Sequence, residues 1–208
     1  MKPAPPHKQR CPWCKSHPLY IRYHDTEWGT PLYNDNQLFA YLILESAQTG
    51  LNWLTVLKKR AGYDEVFHHF NPEKIARFNK SDVQRLLLDN RIIRHRKKIE
   101  STINNAQAFL TIQERYGSFS WFLWRLVDHH PIQNQYKRTD QIPVHTTLSN
   151  QLSKILKQNG FSFLGPTTCY AYMQAIGMVN DHLISCFRYH EVQQHTSTIQ
   201  QVKLPTSG

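Results

Sequence analysis

Two cysteines and two histidines near the two ends of the chain form a first candidate site. Cys11 and His24 lie in the amino-terminal segment, and His182 and Cys186 lie close to the carboxyl end. Cysteine and histidine are the usual ligands of structural zinc. The i, i+4 spacing of His182 and Cys186 would place both side chains on one face of a helix that opens at Asn180. The four residues are candidate ligands of one metal ion, with ordinary core packing as the alternative.

Cys11 also belongs to a CPWC motif with Cys14, which offers a different chemistry. A Cys-x-x-Cys pair serves thiol redox reactions when a strand precedes it in a βαβ unit. The sequence around CPWC predicts no strand, so the redox hypothesis is the weaker one. The chain has 4 cysteines, too few for a disulfide scaffold, which favours metal binding or burial as free thiols.

Aromatic residues cluster in the amino-terminal quarter of the chain. They are Trp13, Tyr20, Tyr23, Trp28 and Trp53. Flat rings stack on nucleobases, and their electron-rich faces attract a base that carries positive charge. Aromatic residues also dominate protein cores. The cluster therefore predicts either a base pocket or ordinary packing.

Glu45 lies in a segment that is hydrophobic nearly all round. It follows Leu38, Tyr41 and Leu42 at helical spacing, which places its carboxyl on the apolar face of a helix. A buried carboxylate is costly unless it is paired. Glu45 is therefore expected either to pair with a cation or face solvent at a helix end, or to serve a site among the aromatic residues.

A basic stretch follows, in which Arg91, Arg94, Arg96, Lys97 and Lys98 surround two isoleucines and lead into a long helical pattern. A turn followed by a helix offers backbone N–H groups and cations to phosphate oxygens. A solvated basic surface is the alternative explanation.

The elements that position these residues are all predicted to be helices, because no segment alternates convincingly as a strand does. Start signals at Asp35, Asn71, Ser81 and Ser149 and a stop signal at Gly160 support this pattern. The predicted helical segments are 36–45, 47–59, 63–68, 72–78, 81–88, 94–115, 118–128, 147–158, 166–177 and 181–188.

The two ends differ from this helical array in composition. Residues 1–10 are basic and rich in proline, and residues 191–208 are polar without periodicity. Both ends are predicted to be flexible tails around one folded domain over residues 11–190. Any second lobe must form where the two ends of this domain meet.

Charge favours a polyanionic partner. Lysine and arginine number 25 against 15 acidic residues, which gives a net charge of +10. This excess is typical of nucleic-acid-binding proteins, although a basic surface alone also explains it. No apolar run is long enough for a membrane span or a secretory signal, so a cytoplasmic protein is expected, with a monomer as the default.

Taken together, these motifs resemble the 3-methyladenine DNA glycosylase I family over about residues 10–189. The segments that carry the resemblance are RCPW, PLYIRYHDTEWG, LFAYLILESAQTGLNWLTVLKKR, FNPEKIA, IIRHRKKI and GFSFLGPTTCYAYMQAIGMVNDHLISC. The resemblance implies an all-α helix-hairpin-helix DNA glycosylase fold with two helical lobes. It also implies a structural Zn²⁺ clasp that joins the chain ends through Cys11, His24, His182 and Cys186.

The resemblance further implies an activity, the hydrolytic removal of 3-methyladenine from alkylated double-stranded DNA. Glu45 would hydrogen-bond the flipped base and Tyr23 would orient it. The ring of the base would contact Trp53, Trp13 and Tyr20. The hairpin at 88–98 would hold the phosphates of the DNA through Arg94, Arg96 and Lys97. Because methylation at N3 leaves adenine cationic, the base is a good leaving group, and recognition carries most of the catalysis.

The sequence departs from the family pattern in the hairpin, where Arg91 stands in the place of a usual glycine. Relatives that remove neutral bases use an aspartate late in the hairpin, and Asp89 is a poor substitute for it. Cys14 has no assigned role in the family. A non-catalytic helical DNA-binding module remains the alternative from another class, and it would have no need of Glu45.

Overall fold

The computed structural model describes residues 8–198, and its side chains are described through residue 194. The chain is mostly helical over this range. The α-helices are α1 (Pro18–Thr26), α2 (Asp35–Gln48), α3 (Trp53–Val66), α4 (Pro72–Ile75), α5 (Lys80–Leu88), α6 (Arg96–Tyr116), α7 (Phe119–Trp124), α8 (Thr147–Gln158), α9 (Pro166–Ala175) and α10 (Phe187–Thr198). Short 3-10 helices span Pro12–Ser16, Arg125–Val127 and Thr139–Gln141.

Asparagine side chains start several of these helices. Asn34 accepts a hydrogen bond from Gln37 N at the start of α2, and Asn71 accepts one from Lys74 N at the start of α4. Such side-chain oxygens satisfy backbone N–H groups that have no partner in the first turn. One start signal differs slightly from the prediction, because Asn34 caps α2 in place of Asp35. Ser81 lies in the first turn of α5, behind the capping residue Asn79.

Helix α2 is the centre of the core. Leu38, Phe39, Leu42 and Ile43 are fully buried, and α2 packs against α3, α6, α7 and α9. A helix that is hydrophobic on all sides belongs inside a protein. Asp35, at the start of α2, accepts hydrogen bonds from the first backbone N–H groups of α7 and joins the two helices.

The predicted helix over 181–188 is wrong. Residues 181–186 form an irregular bend, and only residues 187 and 188 are helical, as the start of α10. A short parallel pair of strands, β1 (Ile132–Gln133) and β2 (Val179–Asn180), leads into this bend. Asn180 donates to Gln133 Oε1 and to Tyr189 O, so its side chain is used in tertiary contacts and caps no helix. The i, i+4 argument for His182 and Cys186 therefore has no helix behind it.

Helix α10 begins only at Phe187 and continues past residue 190, where the sequence analysis expects a polar tail. Val192 within it is 2% exposed. Residues 1–7 and 199–208, the outer parts of the two expected tails, lie outside the described residues. No helix in the described range has both the length and the apolar character that a bilayer span requires.

Candidate active site and metal centre

A cavity of about 390 Å³ brings together the predicted aromatic residues and Glu45. The amino-terminal wall consists of residues from α1 to α3 and the segment before them: Trp13, Tyr20, Tyr23, Trp28, Glu45, Gln48 and Trp53. The carboxy-terminal wall consists of Thr139, Ile142, Pro143, Val144, Thr167, Tyr170, Ala171 and Gln174. A cavity of this size and lining suits a planar small molecule.

The rings of the amino-terminal wall hold one another in fixed orientations. Trp13 meets Tyr20 edge-on at 5.7 Å between ring centroids, and it meets Trp28 edge-on at 5.0 Å. Tyr23 and Trp53 are tilted against each other at 5.4 Å. Edge-to-face pairs at these distances are favourable. The sequence-predicted cluster is therefore both a packed unit and the lining of a cavity.

Glu45 is 4% exposed, and its side chain has neither an ion pair nor a hydrogen bond with any described residue. Its Oε2 atom is fully buried without a partner. Burial raises the pKa of the Glu45 carboxyl to about 8. The two non-functional explanations of Glu45, a salt bridge to a cation and a solvent-facing position at a helix end, are therefore wrong. An unpaired buried carboxyl at a cavity is expected at a functional site.

A second polar atom without a partner lines the same cavity. Trp53 Nε1 is buried and donates no hydrogen bond within the described chain. The cavity thus offers a donor from Trp53 and an oxygen from Glu45. Burial, followed by the nearby Glu45 charge, raises the pKa of Tyr23 well above its usual value, so the Tyr23 hydroxyl keeps its proton as a donor.

The carboxy-terminal wall was missed by the sequence analysis. Tyr170 and Gln174 lie one turn apart on α9, and both donate hydrogen bonds to Asp181 Oδ2, at 2.5 and 2.7 Å. Polar residues on an otherwise apolar helix were the available signal. Nothing in the sequence spacing, however, indicates that α9 would approach α2 and the segment before α1.

The four predicted metal ligands meet in one buried cluster. Their ligand atoms all lie within 4.8 Å of one another. Cys186 Sγ is 3.4 Å from His24 Nε2 and 3.7 Å from His182 Nδ1, and Cys11 Sγ is 3.8 Å from His182 Nδ1. In a tetrahedral zinc site the edge between a sulfur and a nitrogen ligand is about 3.6 Å, so this cluster could hold such an ion.

Outer contacts fix the orientation of the two histidines. His24 Nδ1 is 2.8 Å from Asp25 Oδ1, and Arg10 holds the Asp25 carboxylate in turn. His182 Nε2 is 2.9 Å from Trp28 O, which leaves Nδ1 to face the cluster. A hydrogen bond at the far ring nitrogen is the usual support of a metal-binding histidine.

Cys14 stands outside the cluster. Its side chain is fully buried and donates to Cys11 O, and burial raises the pKa of its thiol to about 11. A redox-active cysteine has an accessible thiol of lowered pKa. The environment of Cys14 is the opposite, which disfavours the redox hypothesis.

The basic stretch lies at the turn between α5 and α6. Arg94, Arg96 and Lys97 are exposed there, and Arg96 makes one long ion pair with Glu100 at 3.5 Å. Lys98 differs from them, because it is buried and donates to Ala47 O and Thr49 O at the end of α2. The turn is thus tied to the helix that carries Glu45.

Arg91 does not require the conformation of a glycine. Residues with positive φ in the described chain do not include Arg91, and its side chain pairs with Asp89 and Glu65. Glycine is needed nearby instead: a Cβ on Gly62 of α3 would lie 2.6 Å from Arg91 O. Helix α3 and the turn therefore approach each other closely at Gly62.

Comparisons with known proteins agree with this geometry. A family model described as methyladenine glycosylase matches residues 13–189. DNA-3-methyladenine glycosylase 1 of Escherichia coli (strain K12) is 47% identical over 181 residues, which cover 87% of this chain and 97% of that protein. A solved structure of a 3-methyladenine DNA glycosylase I is 49% identical with a TM-score of 0.84, covering 86% of this chain and 98% of that one. The glycosylase I of Staphylococcus aureus, solved to explain 3-methyladenine recognition, is 44% identical with a TM-score of 0.83, covering 86% and 95%.

Proposed function

Because the chain belongs to the methyladenine glycosylase family, we infer that it is a DNA repair enzyme that removes 3-methyladenine from alkylated DNA. The observation that carries this inference in the structure is Glu45. Its unpaired carboxyl lies in a cavity lined by aromatic rings. A non-catalytic DNA-binding module has no use for such a costly group.

Glu45 and the aromatic rings together suit a flipped cationic base. Trp13, Tyr20 and Trp53 would contact the faces and edges of the base, and a cation between aromatic rings is favoured once water is excluded. The Glu45 carboxylate would accept a hydrogen bond from the base and offset its positive charge. Tyr23, beside Trp53, would orient the base from the same wall.

The reaction needs little acid catalysis from the protein. The bond between the sugar C1′ and the base N9 breaks, and its electron pair neutralises the cationic ring, which leaves as 3-methyladenine. Water adds hydroxide to C1′ and gives its proton to solvent, which leaves an abasic sugar. Glu45 is the one carboxylate among the cavity-lining residues, and it recognises the cationic base. The main contribution of this chain is therefore to bind the cation in a cavity from which water is displaced.

A zinc ion fits the buried cluster of Cys11, His24, His182 and Cys186. The edge lengths, the two thiols and the oriented imidazoles agree with a closed structural site, in which all four positions are occupied by protein. Zinc there would supply cross-linking between the two ends of the domain and no chemistry on DNA. Two helical lobes joined by this clasp, with the cavity between them, are the corresponding architecture.

The helix-turn-helix formed by α5, residues 89–95 and α6 would be the hairpin that holds double-stranded DNA. Arg94, Arg96 and Lys97 are exposed cations at the start of α6 and would contact phosphates. The buried Lys98 joins this hairpin to the end of α2. A phosphate grip at the hairpin would therefore set the distance between the backbone of DNA and the cavity.

Release of free base from methylated duplex DNA tests the proposal. Chromatography should detect 3-methyladenine, with 7-methylguanine from the same DNA retained. Absence of any released base from folded, metal-loaded protein would contradict the enzyme and would leave the DNA-binding module. Release of both bases would overturn the specificity alone.

A further inference from the structure

Asp181 is a buried carboxylate for which the proposed reaction gives no role. It is 0% exposed and makes no ion pair with any described residue. Neutral donors satisfy it instead, since Oδ2 accepts from Tyr170 and Gln174 and Oδ1 accepts from Asn134 at 2.7 Å. Burying a carboxylate without a cation costs free energy, and the three hydrogen bonds offset part of that cost. We therefore expect the position of the three donor side chains to matter to the protein.

Two of the three donors belong to the carboxy-terminal wall of the cavity. Tyr170 and Gln174 face one side of α9 because they are four residues apart. Gln174 has a second contact, in which its backbone carbonyl accepts a hydrogen bond from Gly29 N at 3.1 Å. Asp181 therefore fixes the side chains by which α9 takes part in the cavity.

The other neighbour of Asp181 is the metal cluster. His182 is the next residue, and its backbone N–H donates to the side chain of Asn180. Asn180 ends strand β2, which pairs with β1. A Cβ on Gly29 would lie 2.9 Å from His182 Nε2, and Gly29 N donates to Gln174 O, so the same residue contacts both α9 and His182. One short, fully buried segment thus carries both a metal ligand and the anchor of a cavity wall.

We propose that Asp181 is a positioning residue for base recognition: it fixes Tyr170 and Gln174 in the cavity wall and ties that wall to the metal-binding loop. This inference rests on the proposed function, because it takes the cavity as the base site. Asp181 itself does not line the cavity and is not expected to touch the base.

The test compares Asp181→Ala and Asp181→Asn with a matched control, Asp35→Ala. Asp35 also accepts hydrogen bonds from neighbouring elements, but it serves α7 and does not line the cavity. Binding of free 3-methyladenine is measured by quenching of tryptophan fluorescence. Bound zinc and melting temperature are measured on the same samples, and kcat and KM are measured on methylated duplex DNA.

Asp181→Ala should weaken base binding by about tenfold and raise KM more than it lowers kcat, the loss expected when polar groups in a site lose their anchor. Asp181→Asn keeps the shape and one acceptor, so it should fold and lose less affinity. Asp35→Ala should lower the melting temperature and leave base affinity unchanged. All variants should retain zinc.

Wild-type base affinity in Asp181→Ala, or equal losses in Asp181→Ala and Asp35→Ala, would overturn the positioning role. Failure of the proposed function gives a different result, because the wild-type protein itself would then neither bind 3-methyladenine nor release it from DNA. If Asp181→Ala does not fold, unchanged affinity in Asp181→Asn and in Tyr170→Phe would overturn the role in its place.

Discussion

At the residue scale, the strongest sign of function is a single atom of Glu45. Its Oε2 has no partner in the described chain, and the aromatic side chains around it leave a cavity open beside it. A carboxyl that is buried without a hydrogen-bond or ion-pair partner raises the free energy of the empty protein. A ligand that pairs with the carboxyl removes this cost and therefore binds more tightly. The ligand class follows from the surroundings: flat, cationic and able to donate a hydrogen bond.

Glu45→Gln should bind DNA normally and release base at least about a hundredfold more slowly, because the charge that favours the cationic base is lost. Single-turnover release of 3-methyladenine and a parallel DNA-binding titration separate the two effects. Gln48→Ala, on the same helix and cavity, is the matched control and should cost much less. Normal release by Glu45→Gln would remove Glu45 from recognition.

The raised pKa of Glu45 also gives a pH dependence. Only the ionised carboxyl offsets the charge of the base, so kcat/KM should rise with pH up to about 8 and then level off. The Glu45→Gln variant should lack this rise. An identical pH profile in wild type and variant would show that another group controls it.

Stability should respond to pH in the opposite direction at the same residue. The Glu45 carboxyl binds its proton more tightly in the folded state than in the unfolded state, where its pKa is near 4.5. The free energy of unfolding is therefore undiminished below pH 4.5 and falls as the pH rises through about 8. Glu45→Gln should raise the free energy of unfolding at pH 7 by roughly 1 to 3 kcal/mol and leave it unchanged near pH 4. Denaturant titrations of both proteins at the two pH values measure this difference.

At the scale of elements, the cations at the turn between α5 and α6 differ in whether they already have partners within the protein. Arg91 is engaged with Asp89 and Glu65, and Lys98 is buried against the end of α2. Arg94 and Lys97 have no ion pair within residues 8–198. The exposed, unpaired cations are therefore the ones available for phosphates.

Arg94→Ala and Lys97→Ala should each weaken DNA binding and reduce the slope of log affinity against log salt by about one, as expected for one lost phosphate contact. Lys157→Ala removes an exposed cation from α8 and is the charge-matched control. Affinity measured between low and moderate salt gives the slopes. Equal slopes in all three variants would mean that the hairpin is not the phosphate site.

At the scale of the whole molecule, the four candidate metal ligands lie where the two ends of the domain meet. Cys11 and His24 precede the core helix α2, and His182 and Cys186 follow α9. The cavity lies between walls that come from the same two parts of the chain. A metal ion bound there would stabilise the fold by restricting the unfolded chain and by joining the walls.

Cys186→Ser should lose bound zinc and lower the melting temperature by several degrees or more, because a closed four-ligand site loses a ligand. Cys14→Ser should keep zinc at one per chain, since Cys14 lies outside the cluster. Elemental analysis and thermal melting of the purified proteins check both results. Zinc retained by Cys186→Ser but lost by Cys14→Ser would reassign the ligands.

The sequence by itself determined the helical character, the amino-terminal aromatic cluster and the types of the four candidate metal ligands. These depend on local periodicity and on side-chain chemistry, which sequence states directly. Residues 36–45 lie in α2 as predicted, but α2 continues to Gln48, so the break predicted at residue 46 lies at residues 49–52. The helices predicted over 47–59 and 63–68 are not separate, because α3 runs without a break from Trp53 to Val66. Glu45 was singled out from the sequence, since a charge on an apolar helix face is visible without a structure.

Only the tertiary structure decided what these residues meet. The bend at 181–186 replaced a predicted helix because Asn180 and Asp181 bond to Gln133 and Asn134, each 47 residues away in sequence, and Asp181 also bonds back to α9. The cavity wall from Tyr170 and Gln174 arose in the same way. Contacts between distant segments depend on how the whole core packs, and no local pattern encodes them. The structure, and not the spacing, therefore united the four candidate metal ligands and completed the candidate base site.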